Sequence, residues 1–262
     1  SHGFVVVSAD HTGDTTIDTL SGHPATTGQT GAIIASRAAD VRMIVNGVLT
    51  RSATGGDVLH GAIDPKRIGI TGHSWGGLTA FATVAGHAPA PAGEVIPRDA
   101  RFKAIVTMDA TSDLLTPSDL SKVIVPTLSI VGDGEPPGYA SFWYQTRAAP
   151  LLELRIEHAD HLSFTDICFF QRVLRRYPHP SAAVAGLING LADSSCRPPH
   201  LSADRVHLLT NRYAIAFLLT HLAGDQRYAS YLTPRSDSES TLAAPPLIPL
   251  VPGTTTSLLV LD

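Results

Sequence analysis

Only two cysteines occur in the 262 residues, Cys168 and Cys196, and no clustered ligand spacing accompanies them. A structural zinc site is therefore not expected. The two thiols either form one disulfide or lie as two buried side chains, and their spacing alone does not choose. No apolar run approaches the roughly 20 residues that cross a bilayer, so no transmembrane segment is expected. Self-similarity is also lacking, which excludes a repeat array and leaves one large domain as the default. Lys and Arg number 19 against 23 Asp and Glu, a net charge of -4 mixed along the chain. That balance leaves no electrostatic footprint for nucleic acid or for an anionic membrane surface. Arg172, Arg175 and Arg176 form the only basic cluster, and their helical spacing reads as a solvated face. The chain opens on Ser1 rather than Met, which reads as a processed or truncated start.

What is present is a succession of short apolar runs separated by helical patterns. Phe4 to Ser8, Lys103 to Met108, Pro126 to Val131 and Leu152 to Ile156 read as strands. Between them, Ile34, Ala38, Val41, Val45 and Val48 recur at spacings of three and four, the mark of a helix laid on a sheet. Strands alternating with helices predict an α/β fold, a mostly parallel sheet covered on both faces. Asp10 to Thr30 reads as a loop and Gly61 to Arg67 as a turn delivering the chain to the next strand. Helices are expected over residues 164–176, 182–191 and 205–222, the last carrying Val206, Leu209, Tyr213 and Phe217 in register. From Pro234 onwards the chain reads as an extended tail without helical or strand periodicity, giving residues 1–234 as the domain and 235–262 as the tail.

One stretch carries chemistry. Ile68 to Thr71 runs into Gly72-His73-Ser74-Trp75-Gly76 and then into a helical stretch, Leu78 to Gly86. Strand, G-x-S-x-G and helix in that order form a nucleophile elbow, whose sharp turn raises the serine hydroxyl. The glycines leave no Cβ where strand and helix crowd together. The Trp75 N–H, in the first turn of the helix, is placed to meet negative charge on an attacked carbonyl oxygen. A serine hydroxyl needs a base, and the base needs a carboxylate to hold its tautomer. In open α/β sheets such groups follow strand carboxyl ends. His158 and His161 both follow Leu152 to Ile156, and the H-x-x-H they form has no third metal ligand at a convincing spacing. Asp109 ends one strand; Asp133 and Glu135 follow another.

Taken together, the sequence resembles the α/β-hydrolase superfamily, and within it the platelet-activating-factor acetylhydrolase and dienelactone-hydrolase-like bacterial esterases. The resemblance lies in Ser1-His2-Gly3-Phe4-Val5-Val6, Asp40-Val41, Asp64-Pro65-Lys66-Arg67-Ile68-Gly69, the elbow with Gly77, and His161-x-x-Phe164-x-Asp166. It covers most of residues 1–232. It implies His161, rather than His158, as general base, and Asp109 as first-ranked acid, ahead of Glu135 and Asp133. It also implies three strands and an oxyanion loop before the first strand present. Without the family's third strand, the strands at Phe4 and Ile68 must pair directly or leave edge hydrogen bonds open.

The function expected is serine hydrolysis of small-molecule carboxylic esters, acetylhydrolase- or lipase-like, through Ser74, His161 and Asp109, with Trp75 at the oxyanion and no metal or organic cofactor. The rivals are lactone hydrolysis, which in the family usually employs an elbow cysteine, and a catalytically silent binding domain. The loop from Pro136 to Pro150, with Tyr139, Phe142, Trp143 and Tyr144, either walls an acyl or alcohol pocket or packs onto the core. Secretion or a periplasmic location is favoured over the cytoplasm by the resemblance and by a Cys168–Cys196 bridge, should one form.

Overall fold

Residues 4–8, 63–73, 102–108, 127–132, 151–156 and 256–261 pair into one sheet. We name these strands β1 (Phe4–Ser8), β2 (Ile63–His73), β3 (Phe102–Met108), β4 (Thr127–Gly132), β5 (Leu151–Ile156) and β6 (Thr256–Leu261). The computed structural model describes residues 2–23, 29–88, 95–111, 114–132, 145–177, 179–233 and 256–261. The strand order is β1-β6-β2-β3-β4-β5, with every pair parallel. Parallel neighbours need crossovers, and helices on both faces supply them.

The sheet's two faces are read from its central strands. On β3, Ile105 enters one core, while Ala104 and Val106 enter the other, as the two-residue period requires. The first core is covered by α2 (Thr30–Ala53) and α3 (Trp75–Ala85). Ile34, Ala38, Val41, Val45 and Val48 of α2 are all buried there, so the predicted stripe is the packed face. The second is covered by α7 (Ala203–His221), whose Val206, Tyr213 and Phe217 lie over Leu128 and Ile130 of β4. Phe217 is fully buried; truncating such a side chain to Ala costs about 3–5 kcal/mol.

Several expectations are revised. The Asp10–Thr30 stretch contains a short helix, α1 (Thr16–Leu20), started by a reciprocal Thr15–Asp18 capping box. The Gly61–Arg67 turn is in part strand: β2 begins at Ile63, and its register shifts between Ile63 and Ile68, around exposed Pro65. A proline is tolerated in a central strand only at such an irregularity. The helix expected from Phe164 is split into a 3-10 turn, His161–Phe164, and α5 (Ile167–Leu174). α6 (Ala182–Ser195) runs one turn longer than expected. Two more short helical pieces, α4 (Pro117–Leu120) and a 3-10 segment at Gln226–Leu232, complete the described elements.

The largest revision concerns Thr256–Leu261, read from sequence as tail. It lies between β1 and β2, pairing Phe4 with Ser257 on one side and Ile70 with Val260 on the other. The strands expected to pair directly or stay open therefore do neither. The run Leu258 to Leu261 has no alternation to betray a strand, as is usual at the centre of a parallel sheet, and the Thr-rich residues before it blur its start.

Candidate active site

The site is assembled at the carboxyl ends of β2, β3, β4 and β5. Ser74 is the single residue between β2 and α3 and adopts φ 56° and ψ -120°, outside the usual regions for a residue with a Cβ. Its amide is fixed by the Met108 carbonyl of β3 at 2.9 Å. The bend is possible because a Cβ at Gly72 would collide with the Gly76 backbone. One on Gly77 would stand 2.5 Å from the Ala110 Cβ. Trp75 opens α3, so its N–H is among the first-turn amides without an intrahelical acceptor.

His161 arrives from the other side. After β5 the chain reverses through His158, at φ 59°, and enters the 3-10 turn that begins with His161. The turn is capped by Asp160, which accepts the Ser163 amide at 3.0 Å and its hydroxyl at 2.7 Å. A third donor reaches Asp160 from α6, the Ser195 hydroxyl at 2.6 Å. Burial would raise the Asp160 carboxyl, but these donors outweigh it and hold the group below its usual value. The result places His161 Nε2 2.9 Å from Ser74 Oγ.

Asp109 follows β3, is fully buried, and takes φ 41°. Its Oδ2 stands 3.8 Å from His161 Nδ1, beyond hydrogen-bond length but within ion-pair range. Its Oδ1 accepts the Gly132 amide at 2.9 Å. Gly132 is required there, since a Cβ would strike the Ala159 carbonyl and push the β4 and β5 ends apart.

Ser74, His161, Asp109 and the Trp75 amide are thus gathered in one place. His158 is exposed, and its carbonyl is taken by the Leu201 amide at 2.7 Å. Asp133, Glu135 and the aromatics Tyr139, Phe142, Trp143 and Tyr144 lie outside the described residues. Cys168 and Cys196 are bonded, their Cα atoms 5.6 Å apart, joining α5 to the end of α6.

Two contributors escape a sequence reading. His73, inside the elbow motif, reaches the His161 carbonyl with Nε2 at 2.7 Å. Its ring centroid is 4.6 Å from that of His161. Burial, and then the neighbouring His161, lower its pKa to about 4, so His73 is neutral near pH 7 and its Nε2–H is the donor. The Asp160–Ser195 contact is the other: Asp160 directly precedes His161, but its partner is remote in sequence. No pattern of types could have linked residues so far apart.

A parallel sheet with helices on both faces and a strained serine between β2 and the following helix make this an α/β-hydrolase fold. No family model matches the chain. No curated protein matches it either. Among solved structures it is similar to a ferulic acid esterase from Streptomyces cinnamoneus, at 24% identity and a TM-score of 0.47, over 77% of this chain and 52% of that one. It is also similar to a dienelactone hydrolase from Anabaena variabilis, at 23% identity and a TM-score of 0.35, over 69% of this chain and 67% of that one. The chain spans about half the length of the esterase it matches. No helix among the described residues is long and apolar enough to cross a membrane.

Proposed function

We propose that the protein hydrolyses small-molecule carboxylic esters, acetylhydrolase- or lipase-like, by a serine acyl-enzyme route. His161 Nε2 takes the Ser74 proton as Oγ attacks the acyl carbon, and the Trp75 N–H receives the developing oxyanion. One such donor is worth on the order of 3 kcal/mol of barrier. Asp109 holds the proton-bearing Nδ1 side of His161 towards itself, so that Nε2 is the basic nitrogen. The protonated His161 then gives its proton to the departing alkoxide, leaving an ester on Ser74. Water, deprotonated by the same imidazole, attacks that ester and releases the acid. The observation carrying this reading is the 2.9 Å contact between Ser74 Oγ and His161 Nε2.

Residues 1–234 form the hydrolase domain in this reading, together with the strand Thr256–Leu261 that lies within its sheet. The Cys168–Cys196 bond supports a secreted or periplasmic setting, because disulfides persist in oxidising compartments. The elbow serine favours ester over lactone chemistry of the cysteine-dependent kind. A fluorophosphonate probe with p-nitrophenyl esters of short and long acyl chains tests the proposal on the full-length protein. Labelling and turnover that vanish in Ser74→Ala support it. A folded wild-type protein that neither labels nor turns over any ester is a binding domain instead.

A further inference from the structure

The short helix α5 is apolar on two sides. Ile167, Cys168 and Gln171 face inward and are buried, with Ile167 and Cys168 packed near Leu162 of the His161 turn and against Ile188 and Ala192 of α6. On the outside, Phe169 and Phe170 are 51% and 50% exposed, Val173, one turn on, is 38% exposed, and Tyr177, just past the helix end, is 66% exposed. Apolar side chains all round a helix ordinarily mean burial on every side; here one side meets solvent. The outer stripe continues into a cavity of about 310 Å³ between α5 and α6, lined by Phe170, Val173, Leu174, Tyr177, Val184 and Ile188.

Charge decides what this surface fits. Arg172 borders the stripe and Arg176 follows just past the helix end, while Arg175 stands one turn on from inward-facing Gln171, three cations within five residues of a chain whose net charge is -4. The whole-chain balance averages this away, whereas the local sequence concentrates it. Among the described residues, Arg172 forms a long, exposed ion pair with Asp204 at 3.5 Å, and Arg175 meets the neutral Gln171 at 3.2 Å. Exposed aromatics bordered by arginines are the composition of a helix that lies in a lipid headgroup layer. A partner protein surface would have to bring both an apolar face and an acidic rim, which an anionic bilayer presents everywhere.

We propose that the outer face of α5 adsorbs to anionic phospholipid bilayers, with Phe169 and Phe170 entering the acyl boundary and Arg172 and Arg176 meeting phosphates. The Cys168–Cys196 bond fixes the orientation of α5 against α6, so the stripe is held outward. The proposal does not rest on the ester reading, since adsorption is measured without substrate.

Co-flotation of the full-length protein with phosphatidylcholine vesicles, with and without phosphatidylglycerol, is the test. Binding is expected to the phosphatidylglycerol vesicles and to weaken as salt is raised. Phe169→Ser/Phe170→Ser should lower partitioning at least about tenfold. Arg172→Gln/Arg176→Gln should abolish the preference for phosphatidylglycerol. Folding is checked by circular dichroism and by the intact disulfide. Three results overturn the proposal: no flotation of wild type at low salt, equal flotation on both vesicle types, or equal flotation of wild type and the folded Phe variant. A fourth is dimerisation without lipid that Phe169→Ser abolishes, which would assign the face to a second copy. If the Phe variant fails to fold, the wild-type lipid and salt dependence and the Arg variant decide.

Discussion

Asp109 divides its carboxylate between two partners: Oδ1 accepts the Gly132 amide at 2.9 Å while Oδ2 faces His161 Nδ1 at 3.8 Å. An amide in its place keeps an acceptor for Gly132 but offers His161 no charge and favours the wrong tautomer. Asp109→Asn is therefore expected to leave the melting temperature within a few degrees and lower kcat on the order of 10⁴-fold. Steady-state kinetics beside Glu135→Gln and Asp133→Asn decides among the three acids. A loss of that size in either of the latter, with Asp109→Asn active, removes Asp109 from the reaction.

His73 supplies a donor and a ring, and two variants separate them. His73→Gln keeps a donor for the His161 carbonyl, whereas His73→Phe keeps the ring and removes that donor. A hydrogen bond of this kind is worth about 0.5–1.5 kcal/mol, so His73→Phe should lose up to about ten-fold in kcat with KM little changed. His73→Gln should recover most of it. Equal loss in both variants would make ring packing the whole effect.

Acid should unfold the protein partly through the same residue. With its folded pKa lowered to about 4 from 6.5, His73 stays neutral in the fold while the unfolded chain takes up its proton below pH 6.5. The stability contributed by neutral burial is complete above pH 6.5 and is lost as pH falls towards 4, by about 1.4 kcal/mol per pH unit at most. Urea unfolding between pH 4 and pH 7 should show this slope, and His73→Gln should flatten it. An unchanged slope in that variant would assign it to other groups, His221 among them, whose pKa burial also lowers.

The disulfide is coupled to the base. Cys168 and Cys196 are 28 residues apart, and closing a loop of that length stabilises by about 3–4 kcal/mol. Ser195, beside Cys196, holds Asp160, and Asp160 caps the turn carrying His161. Reduction, or Cys168→Ser/Cys196→Ser, should lower the melting temperature by several degrees and reduce ester turnover below that midpoint. A fall in melting temperature with turnover fully retained would separate the bond from the site.

Two glycine-to-alanine changes should have opposite signs. Gly77→Ala forces a Cβ to within 2.5 Å of the Ala110 Cβ, next to Asp109, and should cost about 1–3 kcal/mol as well as activity. Gly47→Ala, in the middle of α2 with nothing within 4 Å, should stabilise by about 0.5–1 kcal/mol. Differential scanning calorimetry of the pair checks the contacts that define the elbow.

Much of this was legible in the sequence, for identifiable reasons. β1, β3, β4 and β5 are unbroken apolar runs, and the α2 stripe keeps its period throughout, so local pattern and tertiary burial agree. The placement of Ser74 and Asp109 just past strand ends was legible because apolar runs lead into them. The α1 helix was missed because a capping box, rather than an apolar stripe, starts it. β6 was missed because its neighbours are distant in sequence and its run is short. His73 and Ser195 act through single hydrogen bonds, and a hydrogen bond between remote positions leaves no trace in a residue pattern.

The position of Thr256–Leu261 between β1 and β2 bears on how the molecule is made. Synthesis delivers Phe4–Ser8 and Ile63–His73 well before Thr256–Leu261, yet the last of these sits between the other two. Until it arrives, the facing edges of β1 and β2 lack the strand that joins them, and in that interval both are open to capture by chaperones or by another copy of the same chain.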